Sequence, residues 1–95
     1  MTCINAGEVY YMAYRKDGAD KAALVWKVIQ QFPIHIAEVD IGFTHKAAGI
    51  KARHKLSFAD AFAAALTISE KATLIAGDAE FESLSGEAGF KVKYL

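Results

Sequence analysis

Two stretches decide the reading of this chain: LSFADAFAAAL, Leu56 to Leu66, and TLIAGDAEF, Thr73 to Phe81. Ser57 is a good N-cap, because its hydroxyl can accept a backbone N–H from the first turn, and it opens a helix running to about Glu70. From Phe58 to Ile68 that helix carries one charge, Asp60, in eleven residues. A helix apolar all round is expected to be buried. Thr73 to Ala76 then forms a short continuous apolar run that reads as a strand, ended by Gly77-Asp78. A buried helix leading into a buried strand is the repeating step of an α/β fold.

The pattern continues outward from these stretches. Upstream, Asp40 caps a helix to about Arg53 with Phe43, Ala47 and Ile50 on its inner face. Before it, Ile34-His35-Ile36-Ala37-Glu38-Val39 alternates with period two and reads as a strand behind Pro33. A helix from about Asp20 to Phe32 places Val25, Val28, Ile29 and Phe32 on one stripe. The first helix runs from about Asn5, its cap, to Lys16, and Asp17-Gly18 ends it. Downstream, a helical turn over Glu80 to Leu84 precedes Gly86 and Gly89. A final strand from Phe90 to Tyr94 alternates apolar residues with lysines. Strands separated by helices of this length predict parallel pairing with helical crossovers, and so an α/β/α three-layer fold. Three strands are few for four helices, which predicts that a strand is absent or supplied from elsewhere.

The bulk properties narrow the function. Ninety-five residues make one domain, and 54% apolar against 23% charged residues is globular composition. Eighteen alanines predict closely packed helices. Eleven acids balance eleven bases, which excludes holding nucleic acid by bulk charge but not by local contacts. The single cysteine, Cys3, excludes an internal disulfide and a cysteine-rich zinc site, and reads as a small buried filler. No apolar run is long enough to span a membrane and no signal peptide is evident, so the expectation is a soluble cytoplasmic protein.

Three acids stand out by their surroundings. Glu8 is the only charge between Cys3 and Tyr14, Asp60 the only charge in its helix, and Asp78 follows a buried strand and a glycine. Glu8 and Asp60 both fall in the first turn of an expected helix, so all three are candidates for the crevice at the carboxyl ends of the strands. Carboxylates gathered there stay ionised together only beside a cation. A set of hard oxygen ligands suits Mg²⁺ or Mn²⁺, which activates water for phosphodiester hydrolysis. Each acid also has an ordinary reading. Asn5-x-x-Glu8 and Ser57-x-x-Asp60 have capping-box spacing, and Asp after Gly is turn chemistry.

LSFADA followed by GDAEF resembles the PIN-domain ribonucleases, and among them the small VapC-type toxins of prokaryotic toxin–antitoxin pairs. INAGEVYY, Ile4 to Tyr11, fits the family's glutamate-bearing helix. The resemblance implies that Glu8, Asp60 and Asp78 are the catalytic, metal-binding acids of a Mg²⁺- or Mn²⁺-dependent RNase. It implies RNA as substrate and an antitoxin as partner, while the exposed sheet edges left by a missing strand predict a homodimer. Two positions depart from the family pattern. The family begins with a strand carrying a first aspartate, whereas no acid precedes Glu8, so residues 1–95 are expected to form a single, N-terminally truncated PIN-like domain. The usual hydroxyl two residues before the last aspartate is replaced by Ala76. A catalytically incomplete remnant, acting as a dimerising or binding module, is the alternative.

Other features have weaker claims. Lys51, Arg53, His54 and Lys55 form a basic run ahead of the LSFADA helix, suited either to RNA phosphates or to a helix C-terminus. Tyr10, Tyr11 and Tyr14 beside Arg15 suit base stacking, an interface or core packing. Trp26 lies off the main stripe of its helix and hints at a contact surface. His35, His45 and His54 show no ligand spacing, and the last two read as solvated residues. Glu80 and Glu82 read as exposed acids of a helical turn.

Overall fold

The computed structural model describes residues 1–76 and 81–94. The chain divides into two compact units, Met1–Val39 and Asp40–Leu95.

The first unit is a helical hairpin. Helix α1 spans Cys3–Asp17 and α2 spans Ala19–Gln31. The cap of α1 is Thr2, three residues earlier than expected. Its Oγ1 accepts the Asn5 N–H at 3.1 Å and donates to Asn5 Oδ1 at 2.6 Å. Gly18 alone joins the helices. At φ +89° it stands where L side chains are strained, and its N–H closes α1 on the Tyr14 carbonyl at 2.9 Å. The buried residues are Ala6 of α1 and Ala22 and Ile29 of α2. Small side chains at these positions let two helices approach closely. The expected stripe of α2 is only half used: Ile29 is buried and Val25 half-buried, whereas Val28 and Phe32 are exposed.

The strand expected over Ile34–Val39 does not form. Only one residue of it pairs, in an isolated parallel bridge between Ala37 and Thr2. Cys3 N–H donates to Ala37 O and Ala37 N–H to Met1 O, both at 2.8 Å, and the Met1 amine donates to His35 O at 3.1 Å. Alternation satisfies one requirement of a strand. A neighbour long enough to continue the ladder is the other, and α1 begins at Cys3.

The second unit follows the sequence more closely. Helix α3 spans Ile41–Arg53, with Asp40 Oδ1 accepting the Phe43 N–H at 2.8 Å. Helix α4 spans Phe58–Ser69. The buried residues are Ala47 and Ile50 on α3, and Ala61, Phe62, Ala64, Ala65 and Thr67 on α4. Strands β1, Leu74–Ala76, and β2, Val92–Tyr94, pair in parallel with Leu74 opposite Val92 and Ala76 opposite Tyr94. Between them lies a 3₁₀ turn, Glu82–Leu84, with Phe81 and Leu84 buried and Phe81 against Phe90 at 6.0 Å. The fold class is α/β, rich in helix, and among the described residues its sheet has two strands.

Candidate active site

Asp60 is the third residue of α4. The helix start is satisfied without its carboxylate: Ser57 Oγ accepts the Asp60 N–H at 3.1 Å. Among the described residues the reciprocal bond of a capping box, from the Ser57 N–H to the Asp60 side chain, is not made. Asp60 is half-buried as a residue, and its carboxylate has no hydrogen-bond or ion-pair partner among those residues. Asp60 is thus an unused acceptor on an otherwise apolar helix. Its helix-start position agrees with the sequence, and a purely capping role does not.

Glu8 is placed differently from expectation. Because Thr2 caps α1, Glu8 lies in the second turn, beyond the reach of a capping box with Asn5. It lines a groove of about 510 Å³ on α1 with Tyr11, Met12, Arg15 and Lys16. Along that face the Arg15 guanidinium lies 5.7 Å from the Tyr11 ring centre and donates to Tyr11 Oη at 2.8 Å. Glu8 has no partner among the described residues. Tyr10 turns the other way and meets Trp26 edge-on at 5.6 Å and Tyr14 at 6.0 Å, so Trp26 is partly covered. Asp78 and Glu80 lie outside the described residues. Glu82 is exposed, and the buried Ala76 ends β1. Glu8 belongs to the first unit and Asp60 to the second. Within neither unit do three histidine, cysteine or carboxylate side chains gather as metal ligands among the described residues.

The basic run beyond α3 is tied into its own unit. Lys51 Nζ donates to Leu56 O at 2.9 Å, bridging the turn into α4, and Ser83 Oγ donates to Lys55 O at 3.3 Å. Arg53 Nη2 meets Glu87 Oε1 at 2.6 Å, and His54 Nε2 meets Glu87 Oε2 at 2.7 Å. His54 is therefore not a solvated residue. Its side chain is 16% exposed and that of Glu87 17%, whereas Arg53 is 57% exposed. The hydrogen bond from Arg53, and then that from His54, hold the Glu87 carboxyl below its ordinary range. Glu87 carries no sequence signal, since it sits between two glycines more than thirty residues from its partners. Arg53 and Glu87 also line a cleft of about 520 Å³ floored by Ile50, Ala65 and Ile68. Asp60 is not among its lining residues, so this concavity and the candidate chemistry lie apart.

His45 is exposed on α3 and His35 is exposed in the irregular segment, while Cys3 is half-buried. No helix among the described residues is long and apolar enough to cross a membrane.

Comparison with known proteins adds one finding. No curated protein and no solved structure matches the chain. A family model described as PIN domain matches residues 1–87, which include the helices bearing Glu8 and Asp60 and the GDAEF stretch. PIN domains are generally nucleases, and they typically use divalent metal ions. With most of its length matched in this way, the chain belongs to the PIN domain family.

Proposed function

We propose that the chain is a VapC-type PIN endoribonuclease domain, layered α/β/α, that cuts RNA phosphodiesters with Glu8, Asp60 and Asp78 as its metal-binding acids. The observation that carries this reading is Asp60. The residue is half-buried on an apolar helix, relieved of capping by Ser57, and its carboxylate has no partner among the described residues. Glu8 likewise has no partner among the described residues. Hard, unpaired carboxylates fit Mg²⁺ or Mn²⁺. When bound, such a cation supplies charge neutralisation and an activated water. The chain's own part is to hold that cation through Glu8, Asp60 and Asp78 and to keep Asp60 fixed by the Ser57 cap. Lys51, Arg53 and Lys55 contact RNA phosphates, and an antitoxin protein covers the site in the resting cell.

Asp60→Asn tests the proposal. Without metal the variant is expected to be at least as stable as wild type, because a partnerless charge is removed from an apolar setting. With Mn²⁺ at about ten times its Kd, wild type gains about 1.4 kcal/mol and the variant gains nothing. RNA cleavage by wild type is expected to stop on adding EDTA. Equal Mn²⁺ responses of the two proteins would sink the metal site.

A second reading, a catalytically incomplete PIN-fold module that dimerises, is favoured by exposed Leu24 and Val28 on α2 and Phe32 at its C-cap. These residues recur at i, i+4 and i+8, forming an apolar stripe. Concentration-dependent dimerisation without EDTA-sensitive cleavage would select this reading.

A further inference from the structure

Three phenylalanines of the second unit form a ladder. Phe43 of α3 stacks on Phe62 of α4 with centroids 6.0 Å apart and planes 13° off parallel. Phe62 stacks in turn on Phe58, at 5.3 Å and 20°. Exposure is lowest at the central ring and highest at Phe58. Phe62 is 5% exposed and Phe43 half-buried, whereas Phe58, the first residue of α4, is 45% exposed. Near-parallel stacking of all three rings is one of the preferred aromatic geometries, and here it ends on a ring that keeps nearly half its surface in water.

We propose that Phe58 is a nucleobase platform: a base of the bound RNA continues the Phe43–Phe62–Phe58 stack. Three observations support this inference, which rests on the nuclease reading above. The ring is held by a buried neighbour, so stacking a base on it immobilises little that is still free. Lys55 lies in the turn leading to Phe58, and Lys51, in the last turn of α3, has its ammonium anchored at the Leu56 carbonyl in that turn, so positive charge for a backbone phosphate is at hand. Phe58 and Asp60 are two residues apart, about 3 Å along the helix axis, and leave it on different sides. The stacked base therefore belongs to a nucleotide flanking the phosphate held at Asp60, not to the one being cut. Stacking on an aromatic ring is tolerant of sequence, because every base has a π-face. Phe58 would accordingly favour unpaired RNA over duplex without selecting a particular base.

The test is a binding titration of the full chain in EDTA, so that cleavage plays no part. The probe is a set of single-stranded oligoribonucleotides, each with 2-aminopurine at one position. Wild type and Phe58→Trp are expected to quench the probe at one position. Phe58→Leu keeps an apolar side chain but offers no ring; it is expected to lose that quenching and about tenfold in affinity. Circular dichroism on each variant verifies that α4 is intact. If Phe58→Leu binds and quenches as wild type does, the platform is wrong while the nuclease reading stands. If wild type binds no RNA, the platform falls, and the Mn²⁺ and EDTA-cleavage tests above decide the nuclease reading.

Discussion

Glu87 shows how one carboxylate can clamp two side chains from the same helix end. Arg53 is the last residue of α3 and His54 its C-cap; Arg53 reaches Glu87 Oε1 through Nη2 at 2.6 Å and Oε2 through Nε at 3.5 Å, and His54 Nε2 meets Oε2 at 2.7 Å. The Glu87 carboxyl titrates below its ordinary value of 4.5 in the folded chain, chiefly through the Arg53 hydrogen bond and then that of His54. A carboxyl depressed on folding contributes stability that is fully present above its unfolded value. That stability is lost as pH falls through the lower native value. Urea midpoints of wild type are therefore expected to fall more steeply below about pH 4.5 than those of Glu87→Gln, and the two curves should run parallel above it. Parallel curves throughout would show that the clamp contributes nothing. The exposure of Arg53 keeps the effect modest.

Gly18 is the whole connection between α1 and α2, and its positive φ makes it the backbone hinge of the hairpin. A methyl added there meets no atom within 4 Å, so any cost is conformational and not steric crowding. Gly18→Ala is expected to cost about 1–3 kcal/mol, because φ +89° with ψ 172° is a region essentially confined to glycine, and each kcal/mol corresponds to about 4–8 °C in Tm. Gly86 is equally uncrowded but has no positive φ, and Gly86→Ala is the control, expected near neutral. A fall in Tm equal to that of the control would remove the special role of Gly18. At this scale the legible elements were those specified by their own residues. Asp40 and Ser57 cap α3 and α4 as read, because capping involves only the next three residues. The stripe of α2 was half legible. Periodicity shows that a helix has an apolar face, but not how much of that face its neighbour covers. Ile34–Val39 misled for a related reason, since alternation describes a strand whose partner lies elsewhere in the chain. Asp60 was legible through its apolar context, whereas the Glu87 clamp depends on a distant approach that no local pattern encodes.

Across the molecule, eleven acids and eleven bases leave no excess charge to attract RNA at long range. Binding then depends on a few placed groups, and one of the three candidate cations, Arg53, is already paired with Glu87. The helix pairs are built from sequence neighbours. The β1–β2 pair instead joins residues 74–76 to residues 92–94, so its formation includes closing the intervening loop, and each doubling of loop length adds about 0.6 kcal/mol of closure entropy. Among the described residues each strand spans three residues. Their junction is therefore expected to open more easily than the helix pairs. In native-state hydrogen exchange the Leu74 amide, bonded to the Lys91 carbonyl at 2.9 Å, is expected to exchange through a local opening well below the free energy that protects Ala64 and Ala65 in α4. Equal protection at these positions would mean that sheet and helices open as one. That exchange pattern would give the parallel pairing a consequence in time as well as in space: for a small, recurring fraction of its life the protein would keep its helices with the strand Val92–Tyr94 detached.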